Sequence, residues 1–353
     1  MSGAAPAILA GPAGARVRQM RIRARRRSVA MTSVLAAVAI GLFVLTLAVG
    51  STYVPPIDVL ESMLGLSAAP GVDFIVRDLR LPIAAAALCV GLALGIAGTL
   101  FQRLLGNPLA APELVGVSAG ASLAAVAGIV LFAWSGYVIS LAALLGALTG
   151  ATLIYVLAWR GGISGYRLIL IGIGMSELML ALVTYLIARA DIHDAREAMH
   201  WLVGSIGQSS GSELRALAVA LVVLVPVAAA LDRSLRALEL GDEAARALGV
   251  RVEAARLALI GIAVALVGFA TAVAGPLAFV ALVAGPVSQR ILGTVEGGIL
   301  AAAFVGASIV LAADLGAQQV VPVALPTGVL TGAIGAPYLL WLLAAINREG
   351  GGE

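Results

Sequence analysis

The chain contains no lysine; every one of its 22 basic Lys-or-Arg positions is arginine. A nucleotide-binding P-loop needs a lysine to reach the β- and γ-phosphates. The chain is therefore not a Walker-type ATPase by itself, and ATP energy would have to come from another chain. Cysteine is down to one, Cys89, which excludes an internal disulfide. Histidine is limited to His193 and His200. A zinc site needs three or four ligands, and even with Asp191 and Asp194 nearby the simpler reading of this stretch is a solvated amphipathic helix. No Ser-His-Asp or Cys-His arrangement can be built in the apolar runs, which argues against an intramembrane enzyme. Charged residues are only 12% of the chain, against about 25% in a soluble domain. The longest polar interludes, 50–80, 189–213 and 232–256, are too short to enclose a soluble core.

What is abundant is apolar sequence: 61% of the residues are hydrophobic and the mean hydropathy is +1.07. Repeated apolar stretches near 20 residues indicate transmembrane helices. The pattern predicts ten, at 29–49, 81–101, 115–133, 137–158, 168–188, 214–231, 256–275, 276–291, 298–315 and 328–346. Between the seventh and eighth, Gly275-Pro276 marks either a turn or a kink. The runs are continuous rather than alternating, so a β-barrel is disfavoured. The expected fold class is an all-α polytopic membrane protein. The first run is too long for a signal peptide and lacks a small-residue cleavage site near Ser51, so it reads as a retained span.

Arginine orients the chain. Arg16, Arg18, Arg21, Arg23, Arg25, Arg26 and Arg27 precede the first span. With that tail in the cytoplasm, ten more arginines fall inside and only Arg77, Arg80, Arg189, Arg196 and Arg215 outside, a split of 17 to 5. Ten spans then put both termini in the cytoplasm. The expected organisation is a basic tail over 1–28, a membrane domain over 29–346 and a short tail over 347–353. The net charge of +3 reflects this orientation rather than a nucleic-acid partner.

Glycines four apart, at Gly91 and Gly95, Gly146 and Gly150, and Gly328 and Gly332, let helix backbones approach closely in lipid. IAGTLFQRLLGNP at 96–108 is faintly echoed by VAGPLAFVALVAGP at 273–286. Two carboxylates lie inside spans, Glu177 in the fifth and Asp314 near the outer end of the ninth. Such groups face a bundle interior or a water path, and Glu177 reads equally as a pathway group or a hydrogen-bonded core group. A secondary transporter driven by an ion gradient would use these two as coupling sites.

Five ordered stretches carry a resemblance. They are RLPIAAAALCVGLALGIAGTLFQRLLGNPLAAPELVGVSAGAS at 80–122, HWLVGS at 200–205, LGDEAARALGV at 240–250, AGPLAFVALVAGP at 274–286 and LPTGVLTGAIGAPYLLWLL at 325–343. Together they resemble FecCD-type permeases of bacterial ABC importers for iron–siderophore complexes, haem and cobalamin, most closely the ferric-enterobactin-type branch. The resemblance implies a type II ABC importer permease fold. It implies a pore built from two permeases, alike or homologous, in the inner membrane. It also implies a cytoplasmic ABC ATPase dimer below, an extracytoplasmic siderophore-binding protein above, and no cofactor.

The resemblance further implies that 240–250, within the loop 232–256, docks on the ATPase. The chemistry of the stretch agrees. Asp242 and Glu243 follow Gly241 at a helix start, where negative charge is favoured. Arg246 is spaced to pair with either. Gly249 can close the helix in a left-handed cap, and Ala244, Ala245, Ala247 and Leu248 form a small apolar surface. By the same resemblance, Asn107 and Leu109 match cytoplasmic gate positions, and Gly165 and Tyr166 match a second closing segment, where relatives carry small hydroxyl residues. Arg80 matches a docking position for the binding protein, with Arg77 beside it. Ile83 and Gln318 stand where relatives have further arginines. Gly285-Pro286 replaces a Pro-His or Pro-Gln pair, with Arg290 one residue beyond the usual arginine.

Overall fold

The computed structural model describes residues 12–66, 70–160, 165–207, 211–293, 298–319 and 325–350. Among these the regular structure is helical throughout. Helix α1, Pro12–Ala48, carries the arginine run and the first span in one 37-residue helix. The short α2, Pro56–Leu64, and α3, Pro70–Asp73, follow, and a π-helical stretch, Phe74–Arg80, leads into α4, Leu81–Leu105. A 3₁₀ turn at Pro112–Val115 precedes α5, Val117–Phe132, and α6, Tyr137–Ala158. Next come α7, Gly165–Arg189, α8, Ile192–Val203, and α9, Gly211–Ala230. The short α10, Asp232–Leu238, and α11, Asp242–Ala247, lead to α12, Val252–Ala274. The last three are α13, Val280–Leu292, α14, Ile299–Gln319, and α15, Thr327–Gly350.

All ten expected spans contain a helix, the eighth only from Val280. Seven helical runs are long and apolar enough to cross a membrane, and α5, α13 and the Thr327–Leu342 part of α15 are shorter apolar helices. The end of the bundle bearing the arginine run of α1 is called the basic face below.

Helix α4 is the spine. Most of its inward length is buried, and it packs most extensively on α14, then on α12 and α13. Glycine makes this possible. A methyl on Gly91 would overlap the backbone of Gly306 and Ala307, and one on Gly95 would overlap the Ala302 carbonyl. Gly120 of α5 meets Gly146 and Gly150 of α6 in the same way. Gly332 has open space around it, so the third glycine pair is only half used within this chain. The two echoing segments lie against each other. A methyl on Gly98 would strike the Ala281 carbonyl, and the Gln102 side-chain amide donates to the Leu282 carbonyl at 2.9 Å.

Gly275-Pro276 is a true break. Gly275 has φ +69°, and helix does not resume until Val280. The 13 residues of α13 rise only about 20 Å, short of the roughly 30 Å hydrocarbon core. The chain covers the remaining depth in non-helical form. That is tolerated in a bilayer only where protein satisfies the backbone. Here Ser205 N donates to Ala274 O at 2.7 Å, Gly328 N to Gly204 O at 3.0 Å, and Ile206 N to Thr327 Oγ1 at 3.2 Å. Thr327 Oγ1 and Gln318 Nε2 donate to the two oxygens of the buried Asp314 at 2.9 and 2.8 Å.

Gly98→Val should destabilise the bundle by roughly 1–3 kcal/mol through overpacking. Gly41→Ala, where a methyl meets nothing within 4 Å, should be neutral or stabilising by up to about 1 kcal/mol. Thermal unfolding of the two variants in detergent checks both.

Candidate functional site

The basic face carries a short helix on a two-point mount. Gly241, at φ +98°, ends the turn after α10, and α11 begins at Asp242. Gly249, at φ +82°, closes α11 with two bonds, Gly249 N to Arg246 O at 2.9 Å and Val250 N to Ala245 O at 3.0 Å. This is the left-handed glycine cap with paired 5→2 and 6→1 bonds. Ala245 is buried beneath the helix. Leu248, 65% exposed, Leu240, Glu243 and Arg246 face outward.

The expected pairing of Arg246 with Asp242 or Glu243 is not what forms. Asp242 Oδ1 accepts instead from Arg256 Nη2 of α12 at 2.7 Å. The tertiary partner is partly buried and prepositioned on a long helix, so it displaces a weaker exposed pairing within one short helix. Arg246 is left projecting from the face.

The second mount was not visible in the sequence. Arg103, in the last turn of α4, is only 5% exposed at its side chain. Its Nε donates to Glu239 Oε1 at 2.6 Å and its Nη1 to Asp232 Oδ1 at 3.0 Å. Arg236 Nε donates to the other Asp232 oxygen at 2.8 Å. Burial by itself raises the Asp232 carboxyl, but hydrogen bonds from Arg236 and Arg103, with their charges, outweigh it and hold the group below its ordinary value. Asp232 and Glu239 bracket α10, so one arginine ties the spine helix to both ends of the element that precedes α11.

The two expected gate segments lie beside each other. Helix α4 ends in a left-handed cap at Gly106, and Asn107 Oδ1 then accepts from Leu109 N at 2.9 Å, a side-chain-closed turn. A methyl on Gly165 would lie 3.1 Å from Cδ2 of Leu105. Tyr166 is 78% exposed on the same face. Residues 161–164, the rest of the second segment, lie outside the described residues. In the turn after Leu109, Glu113 has a buried Oε2 with no partner among the described residues. Burial raises this carboxyl to about 7 against the lowering effect of a backbone hydrogen bond.

On the opposite face, Arg77 and Arg80 close helix ends. Arg77 donates through Nε and Nη2 to Ser62 O, in the last turn of α2. Arg80 donates to Leu47 O, Ala48 O and Thr52 O at the end of α1. Arg77 stays exposed while doing so. A cavity of about 430 Å³ is lined by His193, Arg196, Glu197 and His200 of α8. Among the described residues no three His, Cys, Asp or Glu side chains gather as a metal-holding group. Glu177 is exposed on the outward side of α7, whereas Asp314 is buried in its hydrogen bonds to Thr327 and Gln318. Arg290, rather than Gln289, engages the last helix, with its guanidinium 4.2 Å from the ring centre of Trp341.

The bundle is helical throughout its described residues, with seven helical runs long and apolar enough to cross a membrane, as a multi-pass membrane permease requires. The FecCD transport family model matches residues 36–345, and the chain belongs to that family. It is 37% identical over 276 residues to the ferric enterobactin transport system permease protein FepG of Escherichia coli (strain K12), covering 78% of this chain and 84% of that protein. It is 36% identical over 322 residues to the achromobactin transport system permease protein CbrC of Dickeya dadantii (strain 3937), covering 90% of each. Its fold matches the inward-facing structure of a metal-chelate type ABC transporter with a TM-score of 0.79 at 27% identity, covering 89% of this chain and 98% of that one.

Arg103→Met should cost roughly 2–3 kcal/mol in detergent unfolding, less than the about 3–5 kcal/mol of a fully buried pair because both carboxylates remain partly exposed. Asp232 has a lowered value in the fold, so its contribution should persist at neutral pH and be lost only below the ordinary carboxylate range. Glu113 runs the other way. Its contribution is present below the ordinary glutamate value and fades as pH rises to about 7. Corrected for the intrinsic pH dependence of amide exchange, exchange across 107–116 should therefore quicken between the ordinary glutamate range and about pH 7 and level off above it, and Glu113→Gln should flatten that response.

Proposed function

We propose that the chain moves an iron–siderophore complex into the cytoplasm as the permease subunit of an ATP-driven importer. The observation that carries the reading is α11: a capped helix, braced from two sides, that presents Glu243, Arg246, Leu240 and Leu248 to a partner. A helix of six residues is marginal alone, and the two salt-bridge mounts hold it ready for docking. A cytoplasmic ATPase dimer receives this knob on the basic face, with both termini on that side as the arginine distribution directs.

The gate is formed by Asn107 and Leu109 with Gly165 and Tyr166 of the neighbouring segment. A second permease, the same or homologous, completes the pore. The exposed flank of α7, bearing Glu177, fits that junction. On the opposite face the siderophore-binding protein docks near Arg77 and Arg80. Arg77 makes the approach, because it stays exposed while bonded to Ser62 O, whereas Arg80 is half-buried on carbonyls at and just beyond the end of α1. Haem or cobalamin is the alternative cargo within the same family.

The test is an affinity pull-down of the detergent-solubilised chain with vanadate-sensitive ATPase assayed in the eluate. Arg246→Glu with Leu248→Glu should reduce co-eluting ATPase at least about tenfold, as loss of a docking centre does, without lowering the unfolding temperature. Asp242→Arg should also reduce it, and the swap Asp242→Arg with Arg256→Asp should recover it, because Asp242 acts through the brace. A chain that elutes alone and transports in liposomes without ATP, with activity lost on Glu177→Gln, would instead establish the ion-gradient reading.

A further inference from the structure

A cavity of about 480 Å³ opens between α1, α10 and α14 at the basic face. Its lining changes character with depth. At the face are Ser28 and Thr32 of α1, Arg103 and Arg236. Deeper in are Ala36, two helical turns beyond Ser28, and Phe304 of α14. Polar lining at Ser28, Thr32 and Ser33 gives way to Ala36, about 12 Å below Ser28, and to Phe304, so the lining has the gradient of a phospholipid.

The charge also fits. Arg25, Arg26 and Arg27 immediately precede Ser28 and are exposed. Arg27 reaches Gly293, at the end of α13. A cluster of arginines just cytoplasmic of a span attracts anionic lipid headgroups. Within the cavity the one carboxylate, Asp232, is already paired with Arg103 and Arg236. Arg103 retains a buried Nη2 with no partner among the described residues.

We propose that this cavity holds one anionic phospholipid. Its phosphate meets Ser28, Thr32 and Arg236 at the mouth, and an acyl chain runs along Ala36 and Phe304. The occupant touches the same Arg103–Asp232–Arg236 cluster that braces α10. Anionic lipid thereby stiffens the mount of α11.

The full chain, purified in detergent, would be exchanged into dioleoyl phosphatidylglycerol or dioleoyl phosphatidylcholine and bound lipid counted by native mass spectrometry. One phosphatidylglycerol per chain should be retained, at least fivefold over phosphatidylcholine. The triple variant Ser28→Ala, Thr32→Val, Arg236→Gln should remove that preference. Ala36→Leu, which fills the apolar part and leaves the charges alone, should lower retention as well and serves if the triple variant unfolds. Equal retention of the two lipids, or unchanged retention in Ala36→Leu, would overturn the proposal. So would complete displacement of the lipid by millimolar inorganic phosphate, which would assign the site to free phosphate.

Discussion

Hydrocarbon offers a backbone amide nothing to bond with, and the architecture follows from that. Wherever this chain stops being helical inside the bundle, other parts of the chain must supply the missing partners. Three helix ends do this for one another: the segment after α8, the end of α12 at Ala274, and the start of α15. Asp314 completes the cluster by accepting from Thr327 and Gln318, which join α14 to α15. Because these ends are satisfied together, α13 can begin deep in the protein, where it packs its own echo in α4.

The glycine contacts and the salt bridges play complementary parts. Glycine brings α4 against α14 and α13 with backbone touching backbone, and α5 against α6 likewise. Such contacts fix distance and depth but provide no directional tie. Direction comes from arginine at the basic face, where Arg103 and Arg256 fasten α10 and α11 to α4 and α12. The planar guanidinium with several fixed donors suits this better than an ammonium would, and a lysine-free chain has only arginine for the purpose.

Much of this was legible in the sequence. Span count, the close-packing glycines and the Gly249 cap follow from residue type and local spacing, and local rules govern them. The braces were not legible because their partners are far apart: Arg103 and Asp232 are separated by 129 residues. Spacing suggested that Arg246 pairs within α11, yet a local rule cannot anticipate that Arg256 arrives from the next helix. Arg77 and Arg80 showed the opposite limit. The sequence marked them as outward charges, and the structure also employs both as donors to helix-end carbonyls, a role that only the folding back of α2 and α1 creates. The nature of the Gly275-Pro276 interruption depended on whether partners for its backbone existed elsewhere.

The two-sided mounting of α11 has a mechanical consequence. A short helix fixed at one point would bend when pushed, and the push would be spent in the loop. Here the leading end is pinned to α12 through Asp242, while the preceding α10 is pinned to α4 through Asp232 and Glu239. Force applied to the exposed face therefore divides between two load paths into different helices. Under the proposed docking, a pull on the knob would reach α4 and α12 by separate routes.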